Sequence, residues 1–316
     1  MHAEQARPRW KTLLAFGIIY FVWGSTFFAI RVGVAEVPPL LLAALRFSAA
    51  GLAMSAWARM RGERGPKGRE WLGTCLVALM IFVLDYGLLF WAERKVPSGV
   101  AAVVLATIPA FMAVAEILFL GTQRMTWRLG VALAIGVGGV AVLTSRVDGL
   151  GASAIDGVGA AALIVASMSW AVASILTRKL AMPESKAASS GAQMLAGGLM
   201  LTAASLGFGE WHGFRWSAVS GAAWLALAYL IVFGSIVGFT AYVWLIHHES
   251  PTKVATYAYV NPVVAVVVGY FLGGEALGIR TVIGSLLVLV SVVVITMKQG
   301  LRDQGIENRS RFPCGE

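Results

Sequence analysis

Apolar runs of about 17 to 25 residues, the length that crosses a ~30 Å hydrocarbon layer as a helix, recur along the chain with short polar breaks between them. Ten such runs stand out, at roughly 12–34, 38–58, 71–92, 97–120, 127–144, 157–177, 188–206, 222–247, 253–272 and 280–297. The pattern predicts an all-α integral membrane protein with ten transmembrane helices. The first run is too long for a signal-peptide core and lacks a small-x-small cleavage site, so it counts as a span. Residues 298–316 carry no apolar period and read as a disordered cytoplasmic tail, in which the Asn308-Arg309-Ser310 sequon is a chance match.

Composition agrees with the pattern. Of 316 residues, 58% are hydrophobic and 13% charged, and the mean hydropathy is +0.78, more than one water-soluble core could hide. The formal charge of +9 does not indicate a nucleic-acid partner, because the basic residues lie between apolar runs without interleaved aromatics. They report topology instead. With the N-terminus inside, 18 of the 25 Lys and Arg fall in cytoplasmic segments and five on the opposite side, which places both termini in the cytoplasm. Cys75 and Cys314 suggest no disulfide framework. No phosphate-binding loop and no His/Cys metal spacing is present, and the adjacent His247 and His248 face different directions on a helix. The expectation is therefore no cofactor, no metal and no enzymatic activity.

The chain also repeats itself. The stretch from Lys95 to Gly121 is echoed from Glu249 to Gly274: a shift of 153 matches Trp91 with Trp244 and Pro109 with Pro262. At the front, a shift of 147 matches Trp23 with Trp170, Arg31 with Arg178 and Gly51-Leu52 with Gly198-Leu199. Each copy holds five spans, an odd number, so the second copy runs through the membrane upside down. The expected domains are a first repeat over 12–144 and a second, inverted one over 157–297. A proline halfway along a spanning helix frees a carbonyl, and paired interruptions in two inverted copies point to a transport site near the midplane. Pro109 and Pro262 are accordingly the candidate hinges.

At this point the residues resemble the drug/metabolite transporter superfamily, specifically its EamA-like exporters. The resemblance rests on "YFVWGSTFFAIRVG" with Arg46, on "WAERKVPSGVAAVVLATIPAF" and "FLGTQRMTWRLGVALAIGVGGVAVL", and on "VNPVVAVVVGYFLGGEALGIRTVIGSLLVLVSVVVI". It implies spans 1 to 4 and 6 to 9 around a central cavity, spans 5 and 10 at the periphery, alternating access, and export of amino acids or aromatic and drug-like compounds across the inner membrane. The chain departs from the pattern at Gln123, where the first copy often carries a Glu that the second keeps as Glu275. A turn cap at the membrane surface explains Glu275 as well as a transport role does.

Charge inside an apolar span costs several kcal/mol unless it meets a partner or water. Arg46, eight residues or roughly 12 Å into span two, either pairs structurally or offers its planar fork to a substrate carboxylate. Asp85 either pairs with Arg46 or binds and releases a proton. Glu116 sits near a span end, within reach of water. Under the repeat, Arg46 corresponds to Gln193, Asp85 to Gly238 and Glu116 to Gly269, so the deep charges belong to one copy and suit an asymmetric substrate. Tyr20, Trp23, Phe27 and Arg31 share one helical face, matched by Ser167, Trp170, Ser174 and Arg178. Tyr86, Trp170, Tyr242, Trp244, Tyr257, Tyr259 and Asn261 complete the expected aromatic wall. The expected partners are a small-molecule substrate, the lipid bilayer and optionally protons, with the chain a monomer or weak homodimer. The alternatives are an uncoupled facilitator or exchanger and, in another class, a non-transporting sensor or an integral membrane enzyme.

Overall fold

The computed structural model describes residues 9–120, 126–144, 156–177, 179–249, 254 and 256–294. The described residues form helices joined by turns, with no strand among them. The helices are α1 Trp10–Val34, α2 Pro39–Met60, α3 Glu70–Ala92, α4 Ser98–Phe119, α5 Trp127–Thr144, α6 Gly157–Leu176 and α7 Lys186–Gly207. They continue with α8 Gly221–Tyr242, prolonged as far as His248, α9 Tyr257–Gly273 and α10 Ile279–Val294. Six of them, α1 to α4, α6 and α8, are long and apolar enough to cross a membrane, and α5, α9 and α10 are shorter apolar helices. Large apolar side chains point outward all round, with Phe21 66%, Leu225 72% and Phe271 75% exposed. Such a surface needs lipid rather than water around it.

The most extensive helix pair is α2 with α7, and it is made possible by glycine. A Cβ on Gly51 would stand 2.4 Å from the Leu195 nitrogen, one on Gly198 2.5 Å from the Ser48 nitrogen, and one on Gly191 2.8 Å from the Ser55 nitrogen. The contacts 48/198, 51/195 and 55/191 run in opposite directions, so the helices are antiparallel. Under the shift of 147, Gly51 against Leu195 maps onto Gly198 against Ser48. Around this pair, α1 packs on α8 and α9, and α6 packs on α3 and α4. The first helix of each half is thus embraced by helices of the other. Beside α4, α5 lies against α10, where Ser291 Oγ donates to the Ala132 carbonyl at 2.6 Å.

Carboxylates join the halves at helix N-termini, whose first N–H groups lack intrahelical acceptors and whose dipole favours negative charge. Glu210, beyond α7, accepts from the Leu40 and Leu41 nitrogens at the start of α2 at 3.2 and 2.9 Å. Glu63, beyond α2 and matched to Glu210 by the same shift, accepts from the Ser185 hydroxyl at the start of α7. Glu36, between α1 and α2, accepts from the Ser220 nitrogen and hydroxyl at the start of α8, both at 2.6 Å. Those two bonds from Ser220 hold the Glu36 carboxyl below its ordinary range; the clasp's contribution is therefore present above the ordinary range and is lost as the pH falls below that range and through the lowered value.

The two proline positions differ. In α4 the helix stops at Leu105 and restarts at Ile108, with Pro109 in the first turn of the restarted half. In α9, Pro262 lies inside a continuous helix. Elsewhere the helices widen to π-type turns over Ile18–Val22 of α1, Leu79–Tyr86 of α3 and Leu230–Val237 of α8. The last two occupy corresponding places in the repeats, and such turns free backbone groups to meet side chains.

The α2–α7 contact yields a test. Gly51→Leu or Gly198→Leu is expected to destabilise the detergent-solubilised protein by roughly 1–3 kcal/mol or more through overpacking against backbone, seen as a lowered melting temperature and loss of the monodisperse peak. Gly138→Leu, where nothing lies within 4 Å of the added Cβ, is expected to leave both unchanged.

Candidate functional site

The two widened turns of α3 and α8 bring the chemistry-bearing residues together. Gly234 and Ser235 in the α8 turn face both halves of the site. The Arg46 Nε donates to Ser235 Oγ at 3.0 Å, and the Trp23 indole Nε1 donates to the Gly234 carbonyl at 3.1 Å. Small residues are required here, since a Cβ on Gly234 would stand 3.1 Å from the Arg46 Nη2 and one on Gly238 2.4 Å from Trp23 Nε1. Gly238 aligns with Asp85 under the shift of 153, and its lack of a side chain admits the Trp23 indole.

On the Arg46 side, the guanidinium carbon lies over the rings of Phe47, Tyr86 and Phe90 at 4.8, 5.2 and 5.9 Å. Tyr86 meets Trp170 of α6 edge-on at 5.9 Å, and Phe82 completes the cluster at 4.8 Å from Phe47. Aromatic faces attract a cation through their quadrupoles, which offsets part of the cost of burying Arg46 at 2% exposure. One nitrogen is left over: among the described residues, Arg46 Nη1 has no hydrogen-bond partner.

On the other side, Trp23 packs against Tyr242 at 5.3 Å and against Tyr257 edge-on at 5.4 Å. Tyr20 OH and Thr256 Oγ1 share a 2.5 Å hydrogen bond. Asn261 turns its amide toward the carbonyls of Ile19 and Tyr20, both at 3.1 Å, and of Tyr257 at 3.3 Å, and its nitrogen donates there. Asn261 thereby serves the carbonyls of the widened turn in α1, a backbone role rather than an open polar surface.

The structure thus gathers Trp23, Arg46, Tyr86, Trp170, Tyr242 and Tyr257 around the α3 and α8 turns. Asp85 lies in the α3 turn at 1% exposure, and its Oδ1 has no hydrogen-bond partner among the described residues. The unpartnered atoms on Arg46 and Asp85 do not bond each other, so the expected pairing is not formed through them. Gln193 donates to Ser189 of its own helix at 2.9 Å and joins neither ring cluster. Trp244 stacks on His248 at 4.2 Å near the end of α8, nine residues beyond the Ser235 that meets Arg46. The Tyr259 side chain, Gln123 and the 298–316 tail lie outside the described residues. Glu116 is half-buried in the last turn of α4. Glu275 is a clasp like those above: it accepts from the Ser98 nitrogen and hydroxyl, both at 2.8 Å, and from the Gly99 nitrogen at 3.2 Å.

Three participants were invisible to sequence reasoning. Ser235 and Gly234 are small residues in an apolar run, with no signal to single them out. Glu93 sits one residue past the α3 span and so reads as a surface charge, yet it is fully buried. Its only sequence signal is a carboxylate directly abutting an apolar run.

Known proteins resemble this chain in sequence and in fold. The model of the EamA-like transporter family matches the chain twice, over residues 10–145 and 157–297. The uncharacterized inner membrane transporter YedA of Escherichia coli K12 is 38% identical over 301 residues, covering 94% of this chain and 93% of its own. An uncharacterized transporter of Archaeoglobus fulgidus is 26% identical over 292 residues, covering 92% and 98%. A crystal structure 20% identical in sequence superposes with a TM-score of 0.60 over 90% of this chain and 96% of the other, a likeness of fold. The chain belongs to the EamA-like transporter family and is a membrane transport protein.

Proposed function

We propose that the chain is a secondary transporter that exports small organic metabolites, such as amino acids or aromatic compounds, across the inner membrane by alternating access. Its helices form ten spans in an inverted 5+5 repeat, 12–144 and 157–297, with both termini cytoplasmic. The antiparallel α2–α7 pair, with its self-matching glycines and its matched Glu63 and Glu210 clasps, supports the inversion. The double family match supports the two units. Pro109 and Pro262 serve as hinges, the first at a helix already interrupted and the second within a helix that would bend.

The observation that carries the site is the Arg46–Ser235 hydrogen bond inside an aromatic box. It ties α2 of one half to the widened turn of α8 in the other, so a substrate bound there touches both moving bodies. The spare Arg46 Nη1 is a donor for a carboxylate on the substrate, and Trp23, Tyr86, Trp170, Tyr242 and Tyr257 provide ring faces for an aromatic or amphipathic group. Asp85, buried and with one oxygen unpartnered among the described residues, is the candidate carrier of a coupling proton, since a carboxyl inside a membrane span is costly as an anion and such groups mark proton relays.

The test is transport in proteoliposomes with a panel of amino acids and aromatic amines, with and without a pH gradient. Trp23→Ala and Trp170→Ala are expected to raise KM roughly tenfold, the worth of one ring contact of about 1.4 kcal/mol. Unchanged KM in both folded variants would remove the aromatic site. Asp85→Asn is expected to abolish the response of flux to the pH gradient; a wild type indifferent to the gradient identifies an uncoupled facilitator instead.

Removing the Ser235 acceptor tests the anchor itself. Ser235→Ala leaves the Arg46 Nε buried without a partner and is expected to cost about 2 kcal/mol, read as a lower melting temperature in detergent, whereas Ser235→Thr keeps the acceptor and most of the stability.

A further inference from the structure

At the end of the bundle where α3 turns into α4, two carboxyl groups are treated in opposite ways. Glu275 follows Gly274, whose left-handed φ of 61° ends α9 and turns the chain back. The Glu275 nitrogen bonds the Gly269 carbonyl at 3.0 Å, and its carboxylate collects the three donors at Ser98 and Gly99. It pins the α9–α10 turn to the start of α4. Glu93 is 0% exposed, and neither of its carboxyl oxygens has a hydrogen-bond partner among the described residues.

Each element packed around Glu93 contributes a group that faces it or is tied up elsewhere. From α1, Arg31 is spent on backbone: its Nη1 donates to the Glu93 carbonyl, and to the Val96 carbonyl at 3.2 Å. From α2, Arg46 is the second cation in electrostatic contact, and it is engaged with Ser235 and the rings. From the α9–α10 turn comes the Glu275 carboxylate. From α6, Gly159 sits against Val96, and the neighbouring Asp156 is occupied by the Gly159 nitrogen at 2.6 Å. A carboxylate in this position would be a buried anion with no donor beside a second anion, which costs several kcal/mol. A carboxyl with a proton carries no such cost. Burial pushes the Glu93 carboxyl well above its ordinary range, with Glu275 adding to the effect and Arg31 and Arg46 opposing it.

We infer that Glu93 is a proton-binding site that locks this end of the protein: the Glu275–Ser98 clasp closes over a protonated Glu93, and opening of the clasp releases the proton. This rests on the alternating-access reading only in requiring that this end can open. It is separate from Asp85, which lies deeper in α3 and is not in contact with the clasp. The sign follows from linkage. The closed state holds the proton more tightly than the open one, so closure is complete at low pH and is lost as the pH rises above the ordinary carboxylate range, by up to tenfold in the closed-to-open ratio per pH unit for one proton.

The experiment measures the distance between nitroxide labels at Arg94→Cys and Ala276→Cys, exposed positions on either side of the clasp, in a Cys75→Ser, Cys314→Ser background. It is done in proteoliposomes at about pH 5 and about pH 9, on either side of the window in which a raised carboxyl titrates. The expected result is one short distance at the lower pH, a longer population at the higher pH, and the short distance alone at both for Glu93→Gln. A pH response equal in Glu93→Gln and the parent, or a parent that stays short throughout, overturns the inference. Should Glu93→Gln fail to fold, the parent protein supplies the answer through dicyclohexylcarbodiimide, which modifies protonated buried carboxyls. Modification of Glu93, located by mass spectrometry, is expected to fall severalfold between the two pH values, and equal modification overturns the assignment. Flux assayed on the same vesicles keeps the two readings apart: transport with a pH-insensitive clasp defeats only the inference about Glu93, and a pH-sensitive clasp without flux of any substrate defeats only the transport reading.

Discussion

Within a lipid-surrounded bundle, every backbone or side-chain donor must find its acceptor inside the protein, because no water is at hand to take its place. Most of the described architecture answers that requirement. Helices satisfy their own interiors, and what remains are helix starts, widened turns and a handful of deep polar side chains. The helix starts of α2, α4, α7 and α8 each receive a glutamate from the opposite half. These bonds, three of them to backbone nitrogens and that of Glu63 to the Ser185 hydroxyl, hold the two halves together at their ends, while the glycine contact of α2 and α7 also joins them.

The widened turns are where this economy opens into a site. Carbonyls at Gly234 and at Ile19 and Tyr20 accept from Trp23 and Asn261, and the adjoining Ser235 takes Arg46. The residues that accomplish this come from α1, α2, α8 and α9, so the polar accounting of one half is completed by the other. Among the described residues, Arg46 Nη1, Asp85 Oδ1 and both Glu93 oxygens are buried without a hydrogen-bond partner, and there a substrate group or a proton would change the energy.

Much of this was legible from the chain. Apolar run length placed the helices to within a few residues, because the hydrocarbon thickness fixes how long such a run must be. Trp23, Gly51 and Pro109 recur as Trp170, Gly198 and Pro262 at nearly constant shifts, and one family model matches over 10–145 and again over 157–297. Arg46, Asp85 and the aromatic residues drew notice because charge and indole are rare and costly in apolar runs. What the pattern did not carry was partnership. Arg46 and Asp85, the natural pair on paper, leave their spare atoms unmatched, and Arg46 binds a serine 189 residues away. Gln193 and Trp244, chosen by repeat and by residue type, join local contacts instead.

The amino-acid sequence by itself determined what is set by the solvent: an all-helical membrane protein, the positions of its apolar helices, the recurrence of residues at nearly constant shifts, and a short set of polar residues deep in apolar runs. These follow from one-dimensional quantities, the length of apolar runs and the spacing of identities. Only the tertiary structure decided which donors meet which acceptors. That choice depends on helix approach at Gly51, Gly198 and Gly238, on turns that widen at corresponding places in α3 and α8, and on the left-handed Gly274 that aims Glu275 at Ser98. Glu93 makes the difference plain. In the sequence it is a charged residue at the edge of a span, but with α1, α4, α6 and the α9–α10 turn folded over it, it is a carboxyl sealed from water.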